Sequence, residues 1–140
     1  MKVILNKCFG GFGISLEGYK LYCQKKNLPC IFYRFDSVKD KNNIFKKVST
    51  PNYMSYCFTY DFGETFESTV GVDDSQFEKM LYLDSSYRED ATLIEVVEEL
   101  GEKANGRFAN LVVVDIPDGL NYVIDDYDGV ETLHERVKEW

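Results

Sequence analysis

An α+β domain is the fold class that this sequence predicts: a mixed or mostly antiparallel sheet packed by two to three helices. Three observations lead there. Segments of β-forming residues and segments of helical apolar spacing follow one another in the order β-α-β-β-(β)-α-β-β-α. One pair of strands, flanking Pro117-Asp118-Gly119, reads as a hairpin, which a wholly parallel sheet does not contain. The length, 140 residues, suits one domain, since domains most often run about 100–150 residues. With no repeat and no linker in view, the expected organisation is a single domain over 1–140.

Val3 to Lys7 reads as the first strand and runs into the glycine-rich turn Cys8-Phe9-Gly10-Gly11-Phe12-Gly13-Ile14. Ser15 then suits the N-cap of a helix over 16–26, because its hydroxyl can accept a hydrogen bond from a free backbone N–H of the first turn. Leu16, Tyr19 and Cys23 share one face of that helix, and Asn27-Leu28-Pro29 ends it. Cys30 to Phe35 is rich in β-formers. The polar, locally basic stretch 36–52 is expected to be a mobile loop. Met54, Tyr56, Phe58, Tyr60 and Phe62 alternate with small or polar residues, predicting a strand with one apolar face, and Lys79 to Leu83 suggests another. Asp90 or Thr92 caps the strongest helix, whose stripe is Leu93, Val97, Leu100 and Ala104, with Asn105-Gly106 as its left-handed exit. The run Leu111 to Val114 predicts a strand covered on both faces, with Leu120, Tyr122 and Ile124 as its hairpin partner. Val130, Leu133, Val137 and Trp140 are spaced as a C-terminal helix.

Composition narrows the function. The chain carries 24 acidic residues against 16 basic ones, a formal net charge of −8, which argues against direct DNA binding through clustered Lys and Arg. Aromatic residues make up 15 % of the chain, yet it has one histidine, so equipment for acid–base catalysis is scarce. The N-terminal apolar run is shorter than a secretory signal requires, and no stretch approaches the length of a membrane span. A cytoplasmic location without membrane attachment is therefore expected. Cys8, Cys23, Cys30 and Cys57 contain no Cys-x-x-Cys pair, and the expectation is buried, reduced thiols with no metal.

The glycine-rich turn is the leading candidate for ligand chemistry. A strand, three glycines within four residues and a capped helix start can direct several backbone N–H groups at an anion. Lys7 adds charge, Phe9 and Phe12 offer stacking surfaces, and Arg88 and Arg107 are available for a phosphate. The candidate set is therefore Lys7, Phe9, Gly10, Gly11, Phe12, Gly13, Ser15, Arg88 and Arg107, with no catalytic residue and no cofactor. The spacing is neither a dinucleotide fingerprint nor a P-loop, and the plainer alternative is a tight turn whose glycines permit close packing. Asp125 to Gly129 resembles a calcium loop, but Ile124 falls where its first carboxylate belongs and Glu131 where an apolar residue belongs, so an acidic turn is the better reading. Asp84 and Asp90 are carboxylates that a Mg²⁺-dependent phosphoesterase would use, at a spacing that is not diagnostic. His134 reads as a surface or boundary residue.

Asn6-Lys7-Cys8-Phe9-Gly10-Gly11-Phe12-Gly13-Ile14-Ser15, Arg88-Glu89-Asp90, the run Leu93 to Gly101, Ile116-Pro117-Asp118-Gly119 and Tyr127-Asp128-Gly129-Val130-Glu131 together resemble a family of small, uncharacterised proteins of bacteriophages and prophages. The resemblance covers both ends of the chain and lapses between about Asp36 and Leu83. The family often closes with His-Arg-x-Trp, where this chain has Val137-Lys138-Glu139-Trp140, so the histidine is missing and a non-enzymatic role is favoured. The resemblance implies a viral accessory protein in the bacterial cytoplasm that counters host immunity. Joined to the glycine-rich turn, it predicts sequestration of a nucleotide-derived signal as a homo-oligomer, assembled through the aromatic strand or Trp140. The alternatives are an acidic inhibitor that binds a host defence protein and, more weakly, the metal-dependent phosphoesterase.

Overall fold

Every strand ladder among the described residues is antiparallel, and with two α-helices the fold is α+β, as the sequence predicts. The structure is a computed structural model that describes residues 1–69 and 76–136. In chain order its elements are β1 (Lys2–Asn6), α1 (Leu16–Lys26), β2 (Ile31–Lys39), β3 (Asn42–Lys47), β4 (Tyr56–Phe58), β5 (Thr65–Thr69), β6 (Met80–Leu81), α2 (Ala91–Leu100), β7 (Leu111–Asp115), β8 (Tyr122–Tyr127) and β9 (Val130–Glu135). Short 3-10 turns lie at Phe77–Lys79, Ser85–Tyr87 and Gly101–Ala104. The contacts gather into two compact units, one built from Met1–Gly18 and the chain from Leu83 onward, the other from Tyr19–Tyr82.

In the first unit, β1 pairs with β7 from Lys2↔Asp115 to Asn6↔Leu111. Val3 to Asn6 are all buried, which is why this strand reads as a continuous apolar run rather than an alternation. The Asp90 carboxylate accepts from the Leu93 N–H at 2.9 Å, capping α2 as expected. Leu93, Ile94, Val96 and Val97 form its buried face. The helix leaves at Gly101 (φ 58°) and tightens into a 3-10 turn ending at Ala104. The expected exit at Asn105-Gly106 is thus corrected: Asn105 is extended, and its side chain accepts from the Leu111 N–H.

Two further expectations fail at the C-terminal end. The segment Tyr122–Tyr127 pairs with Val130–Glu135 from Tyr122↔Glu135 to Tyr127↔Val130, not with β7. What spacing suggested was a C-terminal helix is therefore a strand over 130–135, and Val137 and Trp140 lie outside the described residues. Asp128 (φ 52°) and Gly129 (φ 95°) supply the two consecutive positive φ values of the tight hairpin turn whose twist matches paired strands. The helical spacing of Val130, Leu133, Val137 and Trp140 was the weaker signal beside that turn.

The second unit is a five-stranded sheet in the order β5-β3-β2-β4-β6. The expected mobile loop over 36–52 is corrected: 31–47 is mostly a hairpin, turning at Asp40 (φ 52°) and Lys41 (φ 68°), with a bulge between Phe35 and Ser37. Its outer half is solvated, so polar residues there carry no alternation to read. The expected long strand over 54–62 shrinks to Tyr56–Phe58, and both of its faces are covered, because Cys57 and Phe58 are both buried. Tyr33, Phe45, Phe58 and Phe66 form the core of this unit, with Ile31, Phe62 and Met80 around it. The Tyr33 ring meets Phe58 and Phe66 edge-on at 5.5 and 4.9 Å, and Phe45 stacks on Phe66 at 5.0 Å, arrangements that aromatic quadrupoles favour. The Tyr33 hydroxyl donates to the Gly63 carbonyl at 2.7 Å and accepts from the Phe62 N–H at 2.9 Å.

Candidate ligand site at the glycine-rich turn

Asn6 ends β1 fully buried, and its side chain anchors the turn that leaves the strand. The amide donates to the carbonyls of Cys8 at 2.8 Å and Gly129 at 2.6 Å, while its oxygen accepts from the Asn110 N–H at 2.8 Å. The glycine-rich turn is thereby tied to the β8–β9 turn. The Gly10 N–H donates to the Asp128 carbonyl at 3.1 Å. A Cβ on Gly129 would lie 2.5 Å from the Gly11 nitrogen and 2.7 Å from the Gly10 nitrogen, so only glycine allows the two turns this approach.

The cations of the candidate set are engaged differently. Arg88 grips Glu131 with both nitrogens, Nη1 to Oε1 at 3.1 Å and Nη2 to Oε2 at 2.8 Å, and donates to the Ile4 carbonyl at 2.9 Å. The Asn6 N–H also donates to Oε1 of Glu131, at 2.8 Å. Burial alone would raise the Glu131 carboxyl, but the hydrogen bonds from Arg88 and Asn6 outweigh it and hold the carboxyl below its ordinary range. Lys7 Nζ donates to the Glu131 carbonyl at 2.6 Å. Arg88 also lies over the Phe12 ring, 5.6 Å from its centroid. Ser15 accepts from the Gly18 N–H at 3.1 Å, the expected cap, and donates to the Lys103 carbonyl. Gly13 accepts from the Gly106 N–H at 2.9 Å.

A different group faces solvent at the same turn. Phe9 and Tyr127 are exposed and meet edge-on at 6.5 Å. Phe108, also exposed, sits beside Gly10 so closely that a Cβ there would lie 2.5 Å from the Phe108 Cβ. The Arg107 guanidinium lies 5.2 Å from the Phe108 ring centroid. The fold therefore brings Phe9, Gly10, Arg107, Phe108 and Tyr127 together, while Lys7, Arg88 and Phe12 serve the structure beneath them. Sequence reasoning misses Phe108 and Tyr127 because one sits in the turn before β7 and the other at the end of β8, both far from Phe9 in the chain, and only the tie through Asn6 and the close approach at Gly10 gather them.

The remaining candidates are accounted for locally. Asp84 accepts from the Ser86 N–H at 3.0 Å and caps a 3-10 turn, as Asp90 caps α2. Asp126 accepts from the Gly129 N–H at 2.8 Å within the hairpin turn. His134 lies exposed on β9 with Nε2 3.0 Å from an Asp125 carboxylate oxygen. Comparison with protein-family models, with curated proteins and with solved structures returns no match. Among the described residues, no helix is long and apolar enough to cross a membrane.

Proposed function

We propose that this chain is a non-catalytic binding protein that sequesters a nucleotide-derived signal, in the anti-defence setting that its likeness to phage proteins implies. The observation that carries this reading is the gathering of three exposed rings, Phe9, Phe108 and Tyr127, around one glycine-rich turn beside Arg107. Exposed aromatic rings stack on bases without regard to sequence, and an arginine contributes both a cation and a planar fork for phosphate. This division of labour differs from anion capture by the backbone: stacking and Arg107 do the binding, while Arg88 holds the turn in place through Glu131. Assembly with a second copy would enclose a ligand that one exposed patch leaves open to water.

Calorimetry with cyclic dinucleotides, cyclic trinucleotides and cyclic ADP-ribose isomers tests the proposal. Binding with the ligand recovered unchanged is the expected result. No heat with any of them at tens of micromolar protein removes the reading, and chelator-sensitive turnover replaces it with the phosphoesterase alternative.

A further inference from the structure

Three of the four cysteines, separated by 7 and 27 residues in the chain, converge in the second unit. Local structure explains how. α1 ends with Asn27 in the left-handed region (φ 55°), the Leu28 N–H bonded to the Cys23 carbonyl at 2.9 Å and the Asn27 N–H to that of Gln24 at 3.2 Å. This doubly bonded helix exit, followed by Pro29, turns the chain back so that Cys30 returns beside Cys23. The β2–β4 register then sets Phe32 opposite Cys57. Side chains two residues apart share a sheet face, so Cys30, Phe32 and Cys57 lie on one side. The Sγ atoms of Cys23, Cys30 and Cys57 all lie within 4.8 Å of one another, and those of Cys30 and Cys57 are 3.7 Å apart.

We propose that Cys23, Cys30 and Cys57 form a trithiolate site for one thiophilic closed-shell ion, of which Zn²⁺ is the commonest example. Thiolate sulfurs that share such an ion at about 2.3 Å from it stand about 3.8–4.0 Å from each other in tetrahedral or trigonal geometry. The Cys30–Cys57 separation is already close to that value, and it is well beyond the roughly 2.05 Å of a disulfide. Three soft donors with no carboxylate or imidazole in the group select Zn²⁺, Cd²⁺ or Cu⁺ over Mg²⁺ or Ca²⁺. Cys23 and Cys57 are buried, whereas Cys30 is half-buried and lines a groove of about 250 Å³ with Lys20 and Lys47. The groove is the entry path and leaves room for a water as a fourth ligand.

The proton balance follows from the cluster. Hydrogen bonds from Cys23 and Cys57 stabilise a thiolate on Cys30 against the cost of burial, with Lys20 adding to the effect, whereas the Cys23 and Cys57 thiols are pushed up. Binding forms three sulfur–metal bonds and breaks the S–H bond of each thiol that is still protonated, passing those protons to solvent, so affinity rises with pH.

The test uses the reduced full chain titrated with Zn²⁺ and with Cd²⁺, whose thiolate charge-transfer absorption reports sulfur ligation. One ion per chain, a charge-transfer band, a metal-dependent rise in Tm and proton release in buffers of differing ionisation heat are expected. Cys30→Ser, at the most accessible ligand, should abolish the band and the rise in Tm, while Cys8→Ser, in the other unit, should leave both intact. Circular dichroism of Cys30→Ser before metal is added separates loss of the site from loss of the fold. Should Cys30→Ser be unfolded, the Tm rise and band of the unaltered chain decide alone. A reduced, folded chain with four titratable thiols that shows no band, or a folded Cys30→Ser that binds equally well, overturns the proposal.

Discussion

Arg88 and Glu131, 43 residues apart, form a two-pronged ion pair at 3.1 and 2.8 Å in which the Glu131 side chain is 5 % exposed and that of Arg88 14 %. A pair this deeply buried holds β9 against the segment that precedes α2. Removing one partner leaves the other charge without compensation in a poorly solvated site. Glu131→Gln is accordingly expected to cost about 3–5 kcal/mol in urea unfolding.

The same carboxylate sets an acid limit. Its folded-state pKa lies below the ordinary value of 4.5, so its contribution is fully present above that value and is lost as pH falls through the lower, folded-state one. Asp61, held down by Lys47 at 2.7 Å and by the Gly63 N–H, acts with the same sign in the second unit. Stability measured by denaturant at descending pH should fall below about pH 4.5, and Glu131→Gln should flatten part of that fall.

Gly129 and Gly119 both have positive φ, 95° and 77°, but their surroundings differ. A Cβ at Gly129 meets the backbone nitrogens of Gly11 and Gly10, whereas at Gly119 nothing lies within 4 Å. Gly119→Ala should therefore cost about 1–2 kcal/mol of backbone strain alone. Gly129→Ala should cost distinctly more, because the glycine-rich turn must also move, and the altered amide environment of Gly10 and Gly11 would be visible by NMR.

Tyr33→Phe preserves the ring packing and removes one hydroxyl. That leaves the Gly63 carbonyl and the Phe62 N–H without their shared partner, a loss of about 1–3 kcal/mol for partly buried groups. Thermal unfolding checks it.

Phe9→Ala and Phe108→Ala remove exposed rings and should leave stability within about 0.5 kcal/mol of the parent. If a base stacks there, each should weaken nucleotide binding by about 1–3 kcal/mol. Calorimetry on the same preparations separates the two effects.

Elements with a strong local signal are legible in the sequence. Asp90 and Ser15 are readable as caps because a side-chain oxygen and the next turn's N–H lie within three residues of each other. β1 and β7 are readable as apolar runs. The β8–β9 hairpin is obscured because its positive-φ turn competes with an accidental helical spacing, and the β2–β3 hairpin because its outer half borders water on both sides and shows no pattern. The candidate site is half legible: the turn itself stands out, but not which of its neighbours face solvent.

Composition and local pattern determined that this is an α+β chain poor in histidine, rich in rings and acidic, with a glycine-rich turn between a strand and a capped helix. Those properties depend on residues close in sequence. The tertiary structure decided that Arg88 is bound to Glu131, that Phe108 and Tyr127 join Phe9 at the turn, and that three cysteines meet. Each of those depends on strand register and on backbones passing at glycine contact distance, and neither quantity has a signature in the spacing of residues along one chain.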